Sequence, residues 1–207
     1  MSRKIAKLTW LNNGNYGSVL QALALQKYLV NNGYDVTDLD YNASLKTKLL
    51  NWLVNKNSPK LFLGKYKEAK RKREYKDSKK FDVRSKRFAE FKKKNMKISG
   101  VCKNPAEIKK EAEKYDIFIC GSDQIWSPAL MNPVFYFSFL EESKSKIAYA
   151  PSFGVMDTTQ EKKNKISKYL KGFDYISVRE PQGKDIVKEI TGKDVPVVID
   201  PTLLIGK

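Results

Sequence analysis

The feature that most constrains the fold is a short apolar stretch that stops abruptly at small and polar residues. Ile117 to Gly121 is apolar with one cysteine, which is typical of a strand buried on both faces, and Ser122, Asp123 and Gln124 follow directly. In an open sheet of parallel strands, ligands bind just past the carboxyl ends of the strands. The stretch therefore predicts a buried strand that ends in a functional site. The alternative is a plain connection in which Ser122 or Asp123 caps the next helix.

The chain opens with a strand, a glycine-rich turn and a helix. Residues 4–10 form a strand candidate, residues 12–18 read NNGNYGS, and apolar residues then recur at helical spacing from Ser18 to Gly33. A second strand over residues 34–41 completes a βαβ unit. The turn is either an anion-binding loop at the start of the helix or a tight turn that needs glycine. It has neither dinucleotide-binding nor P-loop spacing.

Polar groups also follow the later strand candidates. Residues 146–149, 173–178 and 195–199 are predicted strands with helical patterns between them, and they are followed by Ser152, by Arg179 with Glu180, and by Asp200. Alternation of strands and helices predicts an α/β fold, namely a Rossmann-like, doubly wound and mostly parallel sheet. The carboxyl ends of parallel strands meet at one edge, so we expect these polar groups to converge there.

The basic charge is concentrated in one segment. The chain has 40 Lys and Arg against 23 Asp and Glu, a net charge of +17, and 17 basic and 5 acidic residues lie between Lys60 and Lys97. We therefore expect residues 1–207 to form a single domain with a basic helical insertion at about 43–100. The insertion is a solvated face, a surface for anionic membrane (residues 46–97) or polyanionic saccharide, or a nucleic-acid contact. Because it has no nucleic-acid-binding signature, we expect no nucleic acid.

Several absences in the sequence narrow the chemistry. There are two cysteines and no signal peptide or apolar run long enough to span a membrane, so a cytoplasmic location is expected, with an alternative at the inner face of the membrane. No histidine is present, which removes the commonest general base and the commonest transition-metal ligand. We expect no metal. A general base would have to be an acidic side chain or a substrate group, or lie outside these residues.

Five blocks in this order resemble the polysaccharide pyruvyl transferase family: NYGSVLQALALQKYL, DIFICGSDQIWSP, KIAYAPSFG, YISVREPQG and VVIDPTLL. The resemblance covers about residues 4–205 except the basic insertion. It implies a GT-B enzyme of two Rossmann-like domains. Such enzymes transfer the enolpyruvyl unit of phosphoenolpyruvate to two sugar hydroxyls as a cyclic ketal and release phosphate, in the synthesis of capsule, exopolysaccharide or cell wall. The implied partners are phosphoenolpyruvate as co-substrate, with no other cofactor, and a sugar or lipid-linked saccharide acceptor.

The resemblance also implies that this chain is an N-terminal half. It ends at IGK, soon after DPTLL, where the first domain of the family ends. The second domain of the family supplies further basic residues, including a histidine, to the phosphoenolpyruvate site. We therefore expect the chain to be inactive by itself.

Phosphoenolpyruvate has two anionic groups, and a guanidinium can bind either of them through two hydrogen bonds. Arg179 is therefore the first candidate for a phosphoenolpyruvate contact, and a structural ion pair of Arg179 with Glu180 or Asp200 is the alternative. Asp123 is the candidate general acid or base, and a helix cap is its alternative. The other predicted substrate-binding residues are Asn15, Tyr16, Gly17 and Ser18 as a cradle, with Gly121, Ser122, Gln124, Ser152 and Glu180.

Two other functions are compatible with the sequence. A sugar-nucleotide glycosyltransferase would have the same GT-B architecture. A non-catalytic module could bind polyanions through the basic residues 60–97, and its affinity would then fall steeply with salt.

Overall fold

The computed structural model describes residues 3–12, 14–47, 50 and 79–205, with the backbone alone for residues 79–82. The chain divides into two compact units, Met1–Asn42 with Met96–Lys207, and Ala43–Asn95. The first unit contains the sheet. Of the predicted basic insertion, residues 48, 49 and 51–78 lie outside the described residues.

All strands of the first unit belong to one open parallel sheet. The order across the sheet is β3-β2-β1-β4-β5-β6, and each neighbouring pair is parallel. This order is that of a Rossmann fold, and it confirms the predicted fold class. The strands are β1 Lys4–Leu8, β2 Asp35–Tyr41, β3 Ile98–Cys102, β4 Ile117–Cys120, β5 Ser145–Ala148 and β6 Tyr175–Ile176.

The helices begin and end at residues that favour those positions. The Asn15 side chain accepts a hydrogen bond from the Gly17 amide at 2.8 Å, and Asn104 accepts one from the Glu107 amide at 3.0 Å, as helix N-caps do. The last helix ends at Gly192, which has a positive φ of 74°. The α-helices are α1 Tyr16–Asn31, α2 Lys79–Asn95, α3 Pro105–Ala112, α4 Gln160–Leu170 and α5 Pro181–Thr191, and short 3-10 helices cover Pro128–Leu130, Pro133–Tyr136 and Pro201–Leu203.

Three strands differ from the sequence expectation, and one of them, β6, covers only Tyr175–Ile176 of the expected residues 173–178. The edge strand β3 was not anticipated, because ISGVC contains a glycine and a serine among its five residues, so the usual alternation of a strand is weak. The strand expected over residues 195–199 is reduced to one bridge between Val178 and Val197. Pro196 has no amide hydrogen to donate, which limits the pairing at this edge of the sheet.

The central strand β4 is buried on both faces, as its composition predicts. Phe118 and Cys120 are fully buried on one face, and Ile119 packs with Ile5 and Leu25 on the other. A large aromatic cluster packs on the first face. The ring centroids of Tyr136 and Phe153 lie 5.4 and 5.5 Å from that of Trp126. The aromatic run after the strand is therefore part of the core, and it fixes the loop that begins at Ser122.

A buried ion pair joins two neighbouring strands of the sheet, beneath α1. Lys7 on β1 and Asp38 on β2 are in register, both are fully buried, and the Lys7 amine donates to Asp38 Oδ1. Gln26 of α1 donates to Asp38 Oδ2 at 2.7 Å and also bonds the backbone of Lys97. Burial outweighs the attraction of Lys7 and raises the pKa of Asp38 to about 6.

In the second unit, α2 is an exposed basic helix. The Arg84 guanidinium lies over the Phe88 ring, 5.5 Å from its centroid, while Val83 and Phe91 are exposed. The last turn contains Lys92, Lys93 and Lys94. Within the described residues, no helix combines the length and the hydrophobicity that a membrane span requires.

Candidate active site

The predicted site residues gather at the carboxyl edge of the sheet. Ser122 follows β4, Arg179 follows β6, and Asp200 lies next to the bridge that extends that side of the sheet. The Ser122 hydroxyl donates to Asp200 Oδ2 at 3.1 Å, and Arg179 Nη1 donates to the Ser122 carbonyl at 3.0 Å. These bonds join Ser122 to Arg179 and Asp200, which lie 57 and 78 residues further along the chain. We call Ser122, Arg179, Glu180 and Asp200 the edge cluster.

Arg179 is held by two carboxylates but is not enclosed. Its Nε donates to Glu180 at 2.7 Å and its Nη1 lies 3.3 Å from Asp200 Oδ2, and 28% of its side chain is exposed. Partial burial disfavours the charged guanidinium, but the hydrogen bonds and charges of Glu180 and Asp200 outweigh it and raise the pKa of Arg179. Both ion pairs that were considered as the alternative for Arg179 are thus present. Among the described residues, no polar atom bonds its Nη2.

Asp200 is the best-satisfied carboxylate of the edge cluster. Burial alone would raise its pKa, but hydrogen bonds from the Thr202 amide, the Thr202 hydroxyl and Ser122, together with the charge of Arg179, lower it. Asp200 therefore holds Arg179 and Ser122 in place as an anion.

Asp123 joins the start of α1 to the loop after β4. The Ser18 hydroxyl donates to Asp123 Oδ2, and Oδ1 accepts from the Gln124 amide at 2.7 Å. The next helical turn in the chain begins at Pro128 with Ser127 at its cap position, so the alternative of Asp123 as a helix cap is wrong. The backbone carbonyl of Asp123 also accepts from the Ser152 amide at 3.0 Å, which ties the β4 and β5 loops together.

The turn before α1 reaches the site mainly through Ser18. The helix begins at Tyr16, earlier than the expected start at Ser18, because the Asn15 side chain caps the Gly17 amide. Ser18 is buried against Asp123, whereas Tyr16 is 61% exposed. Of the predicted cradle of four residues, Ser18 therefore contacts the site, and Asn15 and Gly17 shape the helix start.

Gly121 is required by the close approach of two loops. Its φ is +124°, and a Cβ built there would lie 1.9 Å from the Tyr149 carbonyl oxygen. A side chain at this position would push the β4 and β5 loops apart. Gly121 thus shapes the site and contributes no side chain to it.

Gln21, which lies behind the site, was not predicted from the sequence. This buried side chain donates to the Thr9 hydroxyl at 3.0 Å and to the Ser18 carbonyl at 2.8 Å, and it accepts from the Ser122 amide at 3.0 Å. It therefore connects the end of β1, the start of α1 and the loop after β4. The sequence contains a signal for a buried polar role, because Gln21 is a polar residue on the apolar face of α1, one turn after Ser18.

A pocket of about 240 Å³ lies beside the edge cluster. It contains three of the predicted residues, Gln124, Ser152 and Glu180. The rest of its lining is Phe153, Gly154, Val155, Met156, Gln182 and Gly183. In the part of the chain that the structure describes, no group of three His, Cys, Asp or Glu side chains is placed to hold a metal ion.

The arrangement offers one partly open guanidinium, one carboxylate held by a serine, and a pocket, all at the edge where Rossmann-like sheets bind ligands. No curated protein matches the chain. The family model described as polysaccharide pyruvyl transferase matches residues 15–207, and the chain therefore belongs to the polysaccharide pyruvyl transferase family.

Proposed function

We propose that the protein transfers the enolpyruvyl unit of phosphoenolpyruvate to two hydroxyls of a saccharide as a cyclic ketal, with phosphoenolpyruvate as co-substrate and no other cofactor. In this reaction the methylene carbon takes a proton, both sugar oxygens bond to the central carbon, and the phosphate leaves. The acceptor is a sugar or a lipid-linked saccharide for capsule, exopolysaccharide or cell wall.

The observation that supports this proposal best is the setting of Arg179. Its Nε and Nη1 are used by Glu180, Ser122 and Asp200, which fixes the plane of the guanidinium, and the side chain remains 28% exposed. A fixed guanidinium with an accessible edge is suited to bind a phosphate or carboxylate with little loss of entropy. We assign this edge to phosphoenolpyruvate.

Asp123 is assigned the proton-transfer role. Its two oxygens are oriented by Ser18 and by the Gln124 amide, so the orientation of the carboxyl group is fixed. A carboxyl group held in this way can accept a proton from an attacking sugar hydroxyl or deliver one to the methylene carbon. Gly121, Ser122, Gln124, Ser152 and Glu180 complete the substrate-binding set, with Ser18 and the helix start around Asn15, Tyr16 and Gly17.

The proposed location is cytoplasmic, with peripheral contact to anionic membrane through residues 46–97. Within the described part of this segment, α2 contains eight basic and two acidic residues, and Val83 and Phe91 are exposed among them. Such a helix can bind at an anionic lipid surface. Cosedimentation with phosphatidylglycerol vesicles should therefore exceed that with phosphatidylcholine vesicles and weaken with salt. Equal sedimentation with both lipids would contradict this contact.

The reaction is tested by phosphate release from phosphoenolpyruvate with a panel of saccharide acceptors. The assay uses the 207-residue chain and, in parallel, the gene product that contains it, which also tests the expectation of a second domain. Phosphate release that requires an acceptor would support the proposal. Turnover of a sugar nucleotide in place of phosphoenolpyruvate would overturn the donor and favour a glycosyltransferase.

A further inference from the structure

The pocket beside the edge cluster has no basic side chain in its lining. Of the nine lining residues, only Glu180 carries a formal charge, and that charge is negative. Arg179 directs its Nε and Nη1 toward Glu180, Ser122 and Asp200. Of these three residues, only Glu180 lines the pocket. A ligand with several negative charges would meet the Glu180 carboxylate here, and the guanidinium that pairs with this carboxylate does not belong to the pocket lining. This electrostatic setting disfavours phosphoenolpyruvate in the pocket.

The polar groups of the pocket are those that bind hydroxyls. Gln124 and Gln182 each offer an amide that donates and accepts, and Glu180 offers carboxylate oxygens that accept. The Glu180 carboxylate also accepts from Arg179 Nε at 2.7 Å, so the side chain is oriented before any ligand binds. Neighbouring hydroxyls of a sugar ring present the complementary pattern of donors and acceptors.

The remaining walls are apolar and suit the C–H face of a sugar ring. Phe153, Val155 and Met156 line this side, and Met156 is 75% exposed. The volume of about 240 Å³ is below the range of roughly 300–1,000 Å³ that is usual for drug-sized ligands. The pocket therefore has room for a small ligand such as one sugar ring.

The walls are also fixed in position. The Gly154 amide donates to the Ser152 hydroxyl at 3.0 Å, and a Cβ on Gly154, whose φ is +65°, would lie 2.8 Å from the Gln124 side chain. A Cβ on Gly183 would lie 3.3 Å from Val178 and 3.4 Å from Phe153. Close packing at both glycines indicates a preformed cavity, which lowers the entropic cost of binding.

From the charge, the polar groups and the size together, we infer that this pocket holds one neutral pyranose ring of the acceptor saccharide, beside a separate donor position at Arg179. The inference rests on the proposed function, because only that reaction makes the bound saccharide an acceptor. The pocket and the edge cluster share Glu180, so a ring in the pocket would place its hydroxyls next to the donor position.

Saturation-transfer NMR on the full chain can test the pocket without turnover. The probes are the methyl glycosides of glucose, galactose and mannose, with phosphoenolpyruvate as the anionic comparison. At least one glycoside should bind, and Gln182→Trp, which fills the pocket, should weaken it by about tenfold, the scale of one or two lost hydrogen bonds. Phosphoenolpyruvate binding should be unchanged in this variant.

The matched control is Gln160→Trp, which makes the same substitution at an exposed residue in the first turn of α4. It should leave glycoside binding unchanged. Absence of glycoside binding, equal binding by Gln182→Trp and wild type, or displacement of the glycoside by phosphoenolpyruvate from this pocket would overturn the inference. Pocket-dependent glycoside binding together with turnover of a sugar nucleotide in place of phosphoenolpyruvate would retain the pocket and overturn the proposed donor, so the two failures are distinguishable.

Discussion

Two groups of charged residues in the sheet-forming unit differ in how completely protein surrounds them. Lys7 and Asp38 are 0% exposed, and Gln26 covers the second carboxylate oxygen. In the edge cluster, the side chains of Arg179 and Asp200 are 28% and 26% exposed. An enclosed pair can act only on stability, whereas a partly open cluster can also bind a ligand. The comparison separates charge that the fold encloses from charge that a ligand can reach.

The largest expected effect is on the enclosed pair. Lys7→Met leaves the Asp38 carboxyl buried without its cation, so we expect the free energy of unfolding to fall by about 3–5 kcal/mol. Urea denaturation followed by circular dichroism measures this change. The double variant Lys7→Met with Asp38→Leu removes both charges and should recover most of the loss. If the single variant is as stable as wild type, the enclosed pair does not act as described.

The pH dependence of stability should also distinguish the two groups. Because the pKa of Asp38 rises to about 6 on folding, its contribution is fully present below the unfolded pKa and is lost as pH rises through about 6, a change on the order of 2–3 kcal/mol. Asp200, whose pKa is lowered, acts in the opposite direction: its contribution is lost as pH falls through its folded pKa, below the ordinary value.

Urea denaturation between pH 3 and pH 8 should therefore show the two opposite slopes. Asp38→Asn should abolish the slope around pH 5 to 6, and Asp200→Asn should reduce the slope on the acid side. A slope near pH 6 that persists in Asp38→Asn would assign it to another group.

Two buried glutamines on α1 form a matched pair for comparing the edge cluster with the enclosed pair of Lys7 and Asp38. Gln21 bonds the site loop and Gln26 bonds the enclosed pair. Each substitution to Met should cost about 1–3 kcal/mol, as expected when buried hydrogen-bonding groups lose their partner. Only Gln21→Met should also lower kcat per folded molecule, since it releases Ser18 and Ser122. Equal activity of the two variants would show that Gln21 has no positioning role.

Arg179→Ala should change activity far more than stability. Its ion pairs are partly exposed, so we expect a loss of stability below about 1 kcal/mol. In the gene product, the value of kcat/KM for phosphoenolpyruvate should fall by about tenfold or more, the scale of one charged hydrogen bond. Arg179→Lys keeps the charge but not the planar fork and should recover only part of the activity. A large loss of stability with unchanged kinetics would make Arg179 a structural residue.

The sequence could predict the sheet and the edge at which ligands bind, because each of those signals is local. Apolar strands that stop at Ser122, Ser152 and Arg179 are visible in a short window of sequence. The contacts that assemble the site are not local: Ser18 meets Asp123 across 105 residues, and Ser122 meets Asp200 across 78. No periodicity encodes such pairings, which depend on strand order.

The enclosed pair was missed for a related reason. Lys7 lies within a strand of five residues, where a lysine is ordinarily expected on an exposed face. Only the parallel register of β1 with β2 shows that Asp38 lies opposite it. Conversely, β3 could not be recognised from its own residues, since its place in the sheet is fixed by pairing with β2.

Whether a ketal forms at this edge of the sheet can be read from the carbon skeleton of phosphoenolpyruvate. The gene product is incubated with phosphoenolpyruvate labelled with ¹³C at its central carbon and with an acceptor that supports phosphate release, and the product is analysed by NMR. We predict that the label becomes a ketal carbon joined to two sugar oxygens, and that Arg179→Ala slows its appearance. A label that stays in pyruvate, or that remains an enol ether on one oxygen, would contradict a ketal-forming site at this edge of the sheet.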